Sequence, residues 1–208
     1  MHAALPGSLY GMVDRHFDPH PNFRFFQLFG NLGIHLPPDA PMKTLYLVRH
    51  AKSSWKEADL SDHERPLNKR GELDAPRMGI RLRKRKPQPK AIISSSAVRA
   101  KTTAKLFATE IGFPKSDISI DERLYGAGPT DVVSIIHELN DTVDCAMLVG
   151  HNPTFTELVN SLGHCHIDNV PTCGMAILTF PVNTWKAIKN GKGELQDFDY
   201  PKKEEMRD

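Results

Sequence analysis

Four residues in this 208-residue chain have the types and placement for phosphoryl chemistry: Arg49, His50, Arg99 and His151. The run Leu45-Tyr46-Leu47-Val48 is apolar and rich in strand formers, and it stops abruptly on Arg49 and His50. An arginine fork binds phosphate through two parallel N–H donors. A neutral imidazole is a competent nucleophile near pH 7. Together they suggest phosphoryl transfer to a histidine. A strand that merely ends in Arg-His is not rare, so the reading needs support elsewhere.

Two further segments supply it. In Ala91-Ile92-Ile93-Ser94-Ser95-Ser96-Ala97-Val98-Arg99 a short apolar strand leads through serines into a helix. Ser96 is expected to cap that helix, which puts Arg99 in the first turn, beside free N–H groups that favour an anion. In Ala146-Met147-Leu148-Val149-Gly150-His151-Asn152-Pro153 a second apolar strand ends on a histidine. Asn152 is expected at its N-cap and Pro153 at the first helical position. Gly150 allows a close backbone approach. A surface arginine and a core histidine are the plain alternatives for these segments taken singly. A third segment, Asp121-Glu122-Arg123-Leu124-Tyr125-Gly126, is a carboxylate-bearing loop, and Glu122 can serve there as a general acid or be a solvated glutamate.

These pieces, with Arg65-Pro66-Leu67-Asn68-Lys69-Arg70-Gly71 and the stretch Ala51-Lys52-Ser53-Ser54-Trp55, resemble the histidine phosphatase superfamily in type and order. The superfamily's Arg-His-Gly motif is similar to Arg49-His50-Ala51, and the closest resemblance is to the SixA-like phosphohistidine phosphatases. Alanine is nearly as small as glycine. The resemblance implies a three-layer α/β/α sandwich with a mostly parallel central sheet, like that of phosphoglycerate mutase. It implies His50 as the phosphorylated nucleophile, Arg49 and Arg99 as the pair that grips phosphoryl oxygens, and His151 as a second histidine on the phosphoryl group. Glu122 stands at the family's variable acid position. Ser53 is expected to add a phosphate contact, and Asp62 and Arg65 to line the pocket rim. Lys52 stands where the mutase branch often carries an acid or an amide, which weakens a mutase assignment.

The chemistry is consistent with these side chains alone. Phosphoryl transfer is mainly positioning and charge stabilisation. Two arginines and a histidine supply positive charge, and no carboxylate cluster near the motifs resembles a metal site, so no cofactor or metal is expected. A neighbouring guanidinium is expected to lower the His50 pKa by like-charge repulsion, and the ring's other nitrogen needs an acceptor that the sequence does not identify. Imidazole leaves more readily than an alkoxide, so a phosphohistidine substrate tolerates a weak acid. Larger superfamily members place lid-like insertions between the segments of Arg99 and His151. This chain has few residues there, which by analogy implies a site open to a protein substrate.

The positioning elements follow from hydrophobic period. Strands are expected over 43–49, 90–94, 144–149 and 174–180, and helices over 69–86, 97–111, 130–139 and 153–162. Ile118 and Ile120 suggest a short extra strand and Leu195–Phe198 an edge strand. Asn68 is expected to cap the first helix, with Pro76 kinking or delaying it. Strands that alternate with helices argue for one α/β domain over 42–208. Residues 1–41 show no sustained period and are expected to be a disordered or mis-assigned extension, with Met42 as a natural start. They match neither a secretory signal nor an acid-poor transit peptide.

Composition narrows the partners. With a formal net charge of +2, the basic run Arg81–Lys86 reads as a solvated helix end, not a nucleic-acid patch. No run of about 18 apolar residues exists for a membrane span. Three cysteines do not make a secreted disulfide framework, so a reducing cytoplasm is the simplest location. His164-Cys165-His166 resembles a metal-binding tripeptide but lacks a second pair at a recognised spacing. The expected partner is a phosphohistidine-bearing protein of a signalling or phosphorelay system. A small phosphorylated metabolite is the second reading, and a phosphate-binding module without turnover is the third. Oligomeric state is not legible.

Overall fold

Side-chain alternation sets the two faces of the central sheet. In β1 (Lys43–Arg49), Leu45 and Leu47 join one core cluster while Tyr46 and Val48 join another, and all four are fully buried. β4 (Cys145–Gly150) divides the same way, with Ala146 and Leu148 opposite Met147 and Val149. A strand has a period of two, so a strand apolar throughout needs cover on both faces. Helices α1 (Lys69–Arg83) and α2 (Val98–Ile111) cover the Tyr46 face through Met78, Leu82, Ala104 and Phe107. Helices α3 (Pro129–His137) and α4 (Thr154–Gly163) cover the Leu45 face through Ile136, Phe155 and Leu158. The result is a three-layer α/β/α sandwich. The computed structural model describes residues 41–203. The expected extension over 1–41 therefore lies, apart from Pro41, outside the described residues.

The remaining strands are β2 (Ala91–Ser95), β3 (Ser119–Asp121), β5 (Met175–Phe180) and β6 (Glu194–Asp199), and the sheet order is β3-β2-β4-β1-β5-β6. β1 pairs parallel with β4, β4 with β2, and β2 with β3, while β5 runs antiparallel to both of its neighbours. The carboxyl ends of β1, β2, β3 and β4 thus emerge together, where ligands of open α/β sheets bind. Register finishes the placement. Arg49 pairs with Gly150, so His50 and His151 leave the sheet side by side.

Local chemistry confirms some expected ends and corrects others. Asn68 caps α1, its side chain accepting from the Gly71 N–H at 2.9 Å. Pro76 neither delays nor divides α1, which starts at Lys69 and runs to Arg83. A Cβ at Gly71 would lie 2.2 Å from the Lys52 carbonyl, so glycine lets α1 press against the loop that follows His50. α2 is capped at Ala97 rather than Ser96, because the Ser96 hydroxyl meets His63 Nε2 at 2.9 Å. α4 is capped at Pro153 instead of Asn152, whose amide nitrogen donates to Asn169 and Val170 while its Oδ1 makes no capping bond.

The basic run is not simply solvated. Arg81 pairs with Asp199 at 3.0 Å, and Arg85 with Asp197 and Asp199 at 2.7 and 2.6 Å, which ties the end of α1 to β6. In the Cys165 region, the thiol sits 3.4 Å from the Val159 carbonyl and His166 pairs with Asp168. Among the described residues no group of three or more His, Cys, Asp or Glu is placed to hold a metal ion, and no helix is long and apolar enough to cross a membrane.

Candidate active site

His50 follows β1 directly and is only 9% exposed. Its backbone N–H donates to the Gly150 carbonyl, and its carbonyl accepts from the Cys173 N–H at 3.1 Å. The ring is fixed as firmly. Nδ1 lies 2.8 Å from the Ala51 carbonyl oxygen, which can only accept, so the proton of the neutral ring sits on Nδ1. Nε2 is left with its lone pair, and Arg99 Nε donates toward it at 3.3 Å. Burial pushes the His50 pKa down to about 3. The Ala51 bond opposes that shift, while His151, Arg99 and Arg49 add to it. Guanidinium repulsion is thus a contributor but not the main cause; desolvation is.

His151 follows β4, and its ring centroid lies 5.1 Å from that of His50. Its Nε2 meets the Ser95 hydroxyl at 2.8 Å. Burial and Arg99 push its pKa down to about 4, so it too is neutral near pH 7. Gly150 serves packing here: a Cβ would lie 2.5 Å from the Phe155 ring of α4.

The two arginines are held differently. Arg49 donates through one terminal nitrogen, at 2.8 Å to the Val170 carbonyl and 3.4 Å to Asn169 Oδ1. Its Nε is buried and has no acceptor, and burial lowers its pKa. Arg99, 6% exposed, is braced by Asp62, whose carboxylate takes one terminal nitrogen at 2.8 Å and whose carbonyl takes the other. Thr103 links Arg99 to the nucleophile loop. Its hydroxyl donates to the Arg99 carbonyl at 2.7 Å and accepts from the Ala51 N–H at 3.0 Å.

Asp62 is the hub of the rim. It accepts from Arg65 at 2.7 Å and from the Tyr125 hydroxyl at 3.0 Å as well as from Arg99. Burial works against its charge, but these three donors hold its carboxyl at about 2. Arg65 donates also to the Ser53 hydroxyl at 2.8 Å and to the Ser54 carbonyl, and its guanidinium covers the Trp55 ring at 3.1 Å. Ser53, Asp62 and Arg65 are therefore neighbours, with Ser53 occupied by Arg65. Glu122 does not join them. It is exposed, and its carboxylate makes no hydrogen bond to the cluster.

Sequence reasoning did not single out His63, Ser95, Thr103, Tyr125 or Asn169. Tyr125 lies within the segment that carries Glu122, and Ser95 within the serine run after β2. No local signal marks His63, Thr103 or Asn169, which reach the site only through tertiary packing.

The model of the histidine phosphatase superfamily (branch 1) matches residues 45–127. An uncharacterized protein of Mycobacterium tuberculosis is 33% identical over 165 residues, which cover 74% of this chain and 100% of that one. An uncharacterized chloroplastic protein of Arabidopsis thaliana is 30% identical over 158 residues, 72% of each chain. A structure assigned as SixA phosphohistidine phosphatase from Agrobacterium tumefaciens superposes with a TM-score of 0.63 at 29% identity, over 76% of this chain and 98% of that one. A mycobacterial glucosyl-3-phosphoglycerate phosphatase shares the fold, with a TM-score of 0.52 at 15% identity over 74% and 97% of the two chains.

Proposed function

The chain belongs to the histidine phosphatase superfamily and is SixA-like within it, and from that premise we propose that it is a phosphatase acting through a phosphohistidine on His50. The substrate is phosphohistidine on a signalling or phosphorelay protein. One observation carries the reading: Nδ1 of His50 is spent on the Ala51 carbonyl, so a buried, neutral ring presents the Nε2 lone pair beside the Arg99 guanidinium.

The steps follow from that geometry. His50 Nε2 attacks phosphorus in line with the leaving group. Arg49, Arg99 and His151 hold the equatorial oxygens, where charge collects in a loose transition state. The buried Nε of Arg49 gains the acceptor it lacks within the protein. Water then attacks the phosphohistidine and frees phosphate. The protein-substrate assignment is supported by the stretch between α2 and β4, which holds short turns, β3 and the nine-residue α3 and no inserted lid.

Mass spectrometry of acid-labile phosphate tests both parts. The wild-type chain, given a phosphohistidine-bearing protein, should trap phosphate on His50 and release free phosphate, and His50→Ala should do neither. Faster labelling by small phosphate esters than by the phosphoprotein would overturn the substrate assignment. Turnover without phosphate on His50 would overturn the mechanism.

A further inference from the structure

We propose that His63 is the general acid that protonates the leaving group, a role that rests on the phosphatase reading above. In-line transfer places the leaving group opposite His50 Nε2. Because His50 lies at the buried end of the site, the leaving group points outward to the mouth. A file of rings in pairwise contact connects the nucleophile with the rim. The centroids of His50 and His151 are 5.1 Å apart, those of His151 and Tyr125 5.7 Å, and those of Tyr125 and His63 4.8 Å. His63 ends the file, half-buried, with Nε2 at 2.9 Å from the Ser96 hydroxyl.

The other candidates at the mouth are already committed. Asp62 accepts from three donors and is ionised. Tyr125 gives its hydroxyl proton to Asp62, and burial and that carboxylate raise its pKa. His151 is neutral and bound to Ser95. Glu122 is exposed and unconnected to the cluster. That leaves His63, a half-buried ring whose known hydrogen bond goes to a serine hydroxyl and not to a carboxylate.

His63 enters the step as imidazolium. The Nε2 lone pair of His50 forms a P–N bond while the bond from phosphorus to the leaving atom breaks. That electron pair stays on the leaving atom, which takes the His63 proton. In the second half, a water oxygen bonds to phosphorus and its proton passes to His63. The P–N electron pair returns to His50 Nε2, and the enzyme is restored.

Leaving-group dependence tests this where a purely structural role would show none. The single-turnover rate of His50 phosphorylation is measured with an alkyl phosphate, which needs a proton at departure, and with p-nitrophenyl phosphate, which needs little. H63Q and H63N should each lose about 100-fold or more on the alkyl ester, the scale of general acid catalysis, and stay close to wild type on the nitrophenyl ester. E122Q should match wild type on both. Equal losses on the two esters in both His63 variants would overturn the assignment, as would a selective loss in E122Q. Turnover of either ester by wild type without phosphate on His50 would overturn the phosphatase mechanism and this role with it. Circular dichroism and melting of both His63 variants separate chemistry from misfolding.

Discussion

Two arginine clusters, one beside the edge strand β6 and one at the end of β1, use the same side chain to opposite ends. Beside β6, Arg85 spends all three nitrogens: Nε on Asp197, one terminal nitrogen on Asp199 and the other on the Arg81 carbonyl. Burial opposes its charge, but Asp197 and Asp199 outweigh burial and raise its pKa. At the end of β1, Arg49 meets only a carbonyl and an amide oxygen, keeps a buried Nε without an acceptor, and has its pKa lowered by burial. A buried guanidinium with its carboxylates is a tie between elements. One without them is an unsatisfied charge that an anion relieves. Arg99 stands between these cases, because Asp62 braces it while its Nε faces the nucleophile.

Substitution should separate the clusters by readout. Arg49→Ala and Arg99→Ala remove donors that act on developing charge, so each should lower kcat about 100- to 1,000-fold. Folding stability should change little for Arg49→Ala, since it removes a half-buried charge that no carboxylate pairs. Arg85→Ala should do the reverse. It strands part of the charge on Asp199, which is 5% exposed, and should cost about 2 kcal/mol, the scale of a hydrogen bond to a charged group, with kcat unchanged. Denaturant melts and initial rates on the same three variants check both halves. A stability loss without a rate loss in Arg49→Ala would erase the distinction.

Much of this was legible before the fold was known, and the division has physical causes. His50 and His151 follow apolar strands directly, Arg99 opens the helix after a third, and parallel strands deliver their carboxyl ends to one place, so order and period bring these residues together. What failed was local reasoning about groups with distant partners. Ser96 and Asn152 have good capping side chains, yet the Ser96 hydroxyl meets His63, 33 positions away, and the Asn152 amide is turned to donate to Asn169, 17 positions away. Arg81 looked solvated because its partner Asp199 lies 118 positions on. The acceptor that fixes the His50 tautomer is a backbone carbonyl, which no residue type reveals. Glu122, read from a motif as either an acid or a solvated glutamate, is exposed and makes no hydrogen bond to the cluster.

The last test probes burial itself. His50 and His151 are held at about 3 and about 4, chiefly by desolvation, against about 6.5 for a free histidine. Both folded values are depressed, so as pH falls below about 6.5 the unfolded chain binds these two protons before the folded chain does, and stability falls. Each ring adds at most about 1.4 kcal/mol per pH unit to that slope, down to the folded pKa values. Urea unfolding across this window should therefore show a shallower acid loss in a His50→Gln, His151→Gln double variant than in wild type. Arg85→Ala should lower the whole curve and leave in place the slope that the two histidines add. A double variant with the wild-type slope would mean that the two imidazoles are not buried neutral. The contrast between a site that pays in desolvation and a tie that neutralises its charge would then lose its basis.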